Sequence, residues 1–162
     1  MSQTGCRLFY LSKMITELIK FNDPDLKEFL KLCYDEMNYS DDGIGFEFLH
    51  GMISRAYENN NAIGLLHKDE NKINGAVVCL VSDGIKDSAS FAIEQIWHSD
   101  PRLTPIKRAK IMLKLLTNIK VKLRDQGVKF LHIDTSTKFP SIAKMLERDK
   151  FGLKELHWVG EL

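Results

Sequence analysis

Residues 101–127 carry Ala109, Met112, Leu116, Ile119 and Leu123 at helical spacing and stop at Gly127, a residue suited to closing a helix. β-type runs flank this stretch, residues 88–98 before it and 130–135 after it. A strand, a helix and a strand in that order make a βαβ unit, with parallel outer strands and a right-handed crossover. Two further apolar runs precede it, 62–67 and 73–81, separated by the polar segment "KDENK", a hairpin signature. With the turn segment "SDGIKD" before residue 88, the three runs predict an antiparallel meander feeding the long helix.

The start of the chain supplies two helices. Residues 16–21 alternate weakly as a short strand, and Asn22-Asp23-Pro24 then signals a helix start. Asp23 can cap, and Pro24 fits the first turn, where no amide donor is missed. Leu26, Phe29, Leu30 and Cys33 hold one face of that helix. Phe46, Leu49, Ile53 and Ala56 mark a second helix over 46–57, ended by Asn59-Asn60-Asn61. After residues 130–135, Pro140 opens a helix carrying Ile142, Ala143 and Leu146, and 153–159 can form a last strand. The order β-α-α-β-β-β-α-β-α-β predicts an α/β (α+β) fold with a central mixed β-sheet flanked by helices. Residues 1–13 read as an N-terminal extension or a first strand, and 14–162 as a single domain. The topological break of such a sheet, beside the long helix, is where a ligand crevice is expected.

Composition narrows the function classes. Of 162 residues, 44% are apolar and 28% charged, which excludes wholesale disorder and leaves enough apolar material for a core. Lys and Arg number 23 against 22 Asp and Glu, so no charge excess points to nucleic acid or a membrane surface. Cys6, Cys33 and Cys79 are odd in number and far apart, which fits a reducing, cytoplasmic setting better than a disulfide framework. The apolar stretch 8–21 is broken by Ser12, Lys13, Glu17 and Lys20, so neither a membrane span nor a secretory signal is expected.

Two segments carry a family resemblance, "IEQIWHSDPRLTPIKRAKIMLKLLTNIKVKLRDQGVKFLHIDT" and "SIAKMLERDKFGLKEL". Together with the element order, they make roughly residues 15–160 similar to the GNAT fold of coenzyme-A-dependent N-acetyltransferases. The same degenerate pattern resembles small GNAT-like proteins of short-tailed phages. The resemblance implies acetyl-CoA as cofactor and an unknown amine or protein as acceptor. It implies a strand, here residues 91–97, whose backbone at Ile96 and Trp97 meets the pantetheine arm. It also implies a loop R/Q-x-x-G-x-G/A whose amides, at a helix N-terminus, receive the pyrophosphate. Counting back from Gly127 by the family's helix length puts that loop on Lys107, Arg108, Ala109, Lys110, Ile111 and Met112. Its glycine positions read Lys110 and Met112, so Lys107, Arg108 and Lys110 would supply charge in place of close backbone approach. In the second segment Ala143, Leu146, Phe151-Gly152 and Lys154-Glu155 match the family, whereas its general-acid Tyr is replaced in the run Glu147-Arg148-Asp149. Ser141 stands near the family's Asn and can equally cap the helix after Pro140.

For catalysis, an amine must lose a proton before it attacks a thioester. Glu94 lies on the strand before the loop, where many members of the family carry a carboxylate, although an outward-facing strand carboxylate would look the same. His98, at the strand end, could accept the proton with a more convenient pKa, or be an ordinary histidine beside Asp100-Pro101. Seven Lys or Arg and no acid lie between Thr104 and Arg124, while residues 20–47 hold eight acids and three lysines. That asymmetry reads either as a cationic phosphate or partner surface or as a solvated helix face. His50, His67, His132 and His157 show no metal-ligand spacing, so no metal is expected. Cys79, Trp97 and Trp158 read as core or rim packing. No G-x-S-x-G, Walker or Rossmann pattern occurs. The sequence thus reads as an acyl-CoA-dependent N-acetyltransferase. Its rival is a catalytically inactive GNAT-like module, virion-associated or binding a host protein, in a host cytoplasm or virion if phage-encoded. A nucleic-acid binder using the basic helix is the weakest reading, because that helix lacks interleaved aromatics for base stacking.

Overall fold

The "KDENK" hairpin forms the middle of the sheet. Strands β2 (Ala62–Asp69) and β3 (Lys72–Ser82) are joined through Glu70 and Asn71, at φ 50° and 68°. Positive φ at both positions of a two-residue loop is the turn that matches the twist of paired strands. On one side of this hairpin lies β1 (Met14–Glu17), and on the other β4 (Phe91–Ser99), both antiparallel to their neighbours. Helix α3 (Pro105–Asp125) then crosses to β5 (Phe130–His132), which pairs parallel with β4, giving the order β1-β2-β3-β4-β5. The computed structural model describes residues 14–18, 20–37, 43–82, 90–133 and 140–148. The expected last strand at 153–159 and the extension 1–13 lie outside the described residues. Two compact units, Met1–His132 and Ile133–Leu162, divide the chain. The first holds the sheet with α1 (Pro24–Met37), α2 (Phe46–Glu58) and α3. The second holds α4 (Pro140–Arg148), which starts at the proline that signals it.

Local signals explain the helix ends. Asp23 Oδ1 accepts from the amides of Asp25 (2.9 Å) and Leu26 (3.4 Å), capping α1 as its sequence predicts. At the end of α3, Gly127 has φ 78°, and the amides of Gly127 and Val128 return to the carbonyls of Arg124 and Leu123. This is a Schellman closure, with Val128 buried beside the buried Leu123. Two boundaries differ from the sequence reading. The first strand is Met14–Glu17 rather than 16–21, because Leu18 and Phe21 turn into the core between the sheet and the helices. Helix α3 begins at Pro105 rather than 101, because Pro101, Arg102 and Leu103 form a turn around Asp100, which accepts from the Arg102 amide (2.9 Å).

Helices cover both faces of β3, which explains its nearly continuous burial from Ile73 to Cys79. On one face α1 and α2 pack Leu26, Phe29, Leu30, Cys33 and Ile53 against Leu66, Ala76, Val78 and Ile96. On the other face α3 buries Ile111, Met112, Leu115, Leu116, Ile119 and Leu123. The stripe therefore follows the expectation at four of its five positions; Ala109 is exposed, and Ile111 and Leu115 widen the buried face. Gly75 allows α3 to come close: a Cβ there would lie 2.4 Å from Ile111 Cγ2 and 3.0 Å from Leu115 Cδ1.

Leu116 is fully buried and Leu113, on the same helix, is 41% exposed. Burial of a leucine is worth about 1.5–3 kcal/mol, and an unpaired buried carboxylate costs more. Leu116→Asp is therefore expected to abolish the cooperative thermal transition. Leu113→Asp is expected to change stability by no more than about 0.5 kcal/mol. Equal melting behaviour of the two variants would contradict the packing of α3.

Candidate functional site

The pairing of β3 with β4 contains one irregularity. Val78 faces Ile96 and Cys79 faces Glu94, so Gln95 is an extra residue, a β-bulge. Opposed residues of an antiparallel pair point to the same face. The bulge thus restores Ile96 and His98 to the α1–α2 face, opposite Val78 and Ala76, and Trp97 to the α3 face, opposite Val77. Trp97 Nε1 donates to the Met112 carbonyl at 2.9 Å, locking the strand onto α3. Glu94 shares the α3 face with Cys79, whose pKa it helps to raise. Among the described residues, β5 pairs with Phe91, Ala92 and Ile93 alone. From the bulge onward, the β5-side edge of β4 therefore carries main-chain groups with no sheet partner among the described residues.

Next to the bulge, a cavity lies between α1, α2 and β4. Its walls include Phe21, Leu30, Cys33, Tyr34, Phe46, Leu49, His50 and Ile53, and its floor is Gln95, Ile96 and His98. The open room, about 20 Å³, suits a single water-sized group. The His50 ring lies tilted against Phe21 (4.9 Å) and Phe46 (5.6 Å), and the Tyr34 hydroxyl donates to the Ile44 carbonyl. Burial sets the protonation states. The His98 pKa is pulled down to about 4, chiefly by desolvation, with Glu36 opposing and Arg108 assisting. His50 is lowered by burial and by Lys27, with Glu47 and a backbone hydrogen bond at Phe21 acting the other way. The Cys33 thiol is pushed up to about 12 by burial and Glu36, so it is no nucleophile at neutral pH.

The start of α3 differs from the expected loop. Residues 107–112 are helix: the Arg108 amide donates to the Thr104 carbonyl at 3.0 Å, and the amides that follow are likewise engaged within the helix. The helix N-terminus falls instead on Thr104–Lys107. There Thr104 caps, its hydroxyl lying 3.5 Å from the Lys107 amide, and Pro105 has no amide hydrogen to give. Ile111 and Met112 are buried under the sheet, while Lys107, Ala109 and Lys110 are exposed. Arg108 grips both oxygens of Glu36 at 2.6 and 2.7 Å and donates through Nε to Ser99 Oγ at 3.2 Å. The structure thus brings Ile96 and His98 together at the cavity, places Trp97 and Glu94 on the opposite face, and ties Arg108 to the end of α1. Sequence reasoning missed His50 and Gln95. Nothing in the local pattern marks His50, whose burial depends on rings from α1, α2 and the segment before α1. Among the described residues, no group of three or more His, Cys, Asp or Glu is placed to hold a metal ion, and no helix is long and apolar enough to cross a membrane.

No protein-family model and no curated protein matches the sequence. Solved structures do match its shape. An aminoglycoside acetyltransferase from an uncultured soil metagenomic sample, in complex with sisomicin, superposes with a TM-score of 0.70 at 18% identity, covering 92% of this chain and 95% of that one. The ribosomal-protein-alanine N-acetyltransferase from Brucella melitensis biovar Abortus 2308 gives 0.68 at 11% identity, over 92% and 99%. A transcriptional regulator from Bacillus halodurans C-125 gives 0.73 at 10% identity, over the same shares. The chain has the GNAT fold. At these identities the likeness concerns the fold, and activity has to be argued from the site.

A histidine whose folded pKa lies near 4 and whose ordinary value is 6.5 links stability to pH. As pH falls below 6.5, the unfolded chain takes up a proton that the folded protein refuses, so stability is lost between those two values. Replacing the ring by one that does not titrate removes that loss. His98→Phe is expected to lose about 1–3 kcal/mol less than wild type between pH 7 and pH 4.5, measured by urea unfolding. Identical losses would show that His98 is solvated.

Proposed function

We propose that the protein is an acyl-CoA-dependent N-acetyltransferase acting on an amine. The observation that carries this reading is the bulged edge of β4, unpaired beyond Ile93 among the described residues, which adjoins a cavity holding a neutral imidazole. The residues present fit acetyl-CoA at its acyl end, because the main-chain groups of Trp97 face that edge and can hold an extended arm by strand-like hydrogen bonds, while those of Ile96 face Val78 on β3. At the phosphate end the fit rests on charge: Lys107 and Lys110 are exposed on the first turns of α3, where the helix dipole also favours anions. When bound, acetyl-CoA supplies an acetyl group activated as a thioester. The chain's own task is to present the amine neutral, because a free alkylamine is protonated at pH 7.

Of the two groups expected to accept the proton, the geometry favours His98. It opens onto the cavity, while the register sets Glu94 on the α3 face beside Cys79. With a pKa near 4, His98 is neutral throughout the physiological range and so has a lone pair for the proton, although the same desolvation makes it a weak base. The desolvated, aromatic walls exclude bulk water from the attacking nitrogen. Fold similarity to an aminoglycoside acetyltransferase and to a ribosomal-protein-alanine N-acetyltransferase supports the reaction class without choosing the acceptor.

Two observations favour the alternative, a GNAT-fold module that does not catalyse transfer and instead binds a protein partner. Arg108 is already paired with Glu36, and Pro105 removes an amide from the helix start, so the phosphate site is poorer than a glycine loop. Thiol release from acetyl-CoA across a panel of primary amines separates the two readings. Under the transferase reading, His98→Ala is expected to lower kcat by about 10²–10³, with acetyl-CoA affinity unchanged, and Glu94→Gln to retain most of the activity. Loss on Glu94→Gln instead would return the role to Glu94. Absence of transfer by the wild-type protein would favour the inactive module.

A further inference from the structure

His50 Nε2 is buried and has no hydrogen-bond partner among the described residues, and the whole residue is 7% exposed. Buried polar atoms are nearly always paired, so an orphan of this kind calls for a ligand. A backbone hydrogen bond at Phe21 acts on the ring, and Nε2 is the nitrogen left without a partner. In the tautomer protonated at Nδ1, Nε2 is a lone-pair acceptor, and the rings of Phe21 and Phe46 lie against the imidazole.

We propose that His50 Nε2 accepts a hydrogen bond from the amino group of the acceptor, and that the cavity selects a slim, apolar primary amine. An amino group is about the size of water, which matches the room of about 20 Å³ beside the ring. The cavity contains no carboxylate among its lining residues, and its walls at Phe21, Phe46, Leu49 and Ile53 are hydrocarbon. A polyhydroxylated or polycationic acceptor would leave its polar groups unpaired against such walls, whereas an unbranched alkyl stem would lose nothing there. Gln95 and His98 line the same space, so a nitrogen held by His50 sits beside the open edge of β4, where the thioester is placed by the proposed reaction. The reaction assignment rests on that reading; the amine site stands on His50 and the cavity alone.

The test uses the full chain with 15N-labelled histidine and n-butylamine as probe, at a pH where much of the amine is neutral. Saturable movement of the His50 Nε2 resonance is expected without any coenzyme A present. tert-Butylamine and piperidine should bind at least about tenfold more weakly. His50→Phe, which keeps a ring but no lone pair, assigns the resonance and is expected to raise KM for n-butylamine about tenfold, leaving KM for acetyl-CoA unchanged. His50→Gln, which restores an acceptor oxygen, should recover part of the loss. An Nε2 resonance unmoved by n-butylamine overturns the proposal, and this arm needs no variant to fold beyond the assignment. Unaltered KM for n-butylamine in a folded His50→Phe enzyme overturns it equally. Movement of Nε2 in a protein that acetylates no amine would sustain the amine site while refuting the transferase reading.

Discussion

Gln95 interrupts an otherwise regular pairing of β3 with β4, and the placing of the side chains around it follows from that insertion. Side chains alternate along a strand with period two, so an extra residue inverts everything after it. Without the bulge, that is with Gln95 in regular pairing, Ile96 and His98 would point towards α3 and Trp97 towards α1 and α2. With it, Ile96 completes the core beneath α1 and α2, His98 reaches the cavity, and Trp97 bonds to the backbone of α3. The bulge therefore joins packing to chemistry. It anchors β4 on both faces while bending it at the point where its pairing with β5 runs out among the described residues.

The start of α3 shows a second constraint, one that works against a conventional phosphate site. Arg108 lies where a cation would help to hold pyrophosphate, yet both its terminal nitrogens go to Glu36 and its Nε to Ser99. Both side chains of this ion pair are about three-quarters buried, and losing either partner would strand the other charge. The pair ties the last turn of α1 to the first turns of α3 across the end of β4. Asp100 does similar work one turn earlier: it is 1% exposed, and the Arg102 guanidinium holds its carboxyl below the usual carboxylate range. Charges that sequence inspection assigns to a ligand are thus partly used to hold the junction between β4 and α3. Lys107 and Lys110, being exposed, remain suited to an anion.

Features written in a few neighbouring residues were legible from sequence. The Asp23 cap, the Glu70-Asn71 turn and the Gly127 closure each rest on local chemistry, and each forms where the residues imply. The antiparallel meander and the parallel β4–β5 pair follow from the spacing of apolar runs. The bulge was not legible, because β4 is covered on both faces and a doubly buried strand shows no alternation in which an insertion would register. The expected loop at 107–112 came from counting along the helix, whereas Thr104-Pro105, a cap followed by a first-turn proline, is the physical signal of the start. His50 went unmarked because its isolation is tertiary. Phe21, Phe46 and Tyr34 create the pocket, and no spacing along the chain announces it.

The central claim is that the open edge of β4 and the exposed lysines of α3 receive acetyl-CoA. Calorimetric titration of acetyl-CoA into the full chain addresses this most directly, because it needs neither an acceptor nor turnover. One saturable site with a dissociation constant of about 1–100 μM, weakening as salt screens the lysines, is the expected result. Heats no different from dilution up to about 1 mM, where binding free energy falls to roughly 4 kcal/mol, would contradict it.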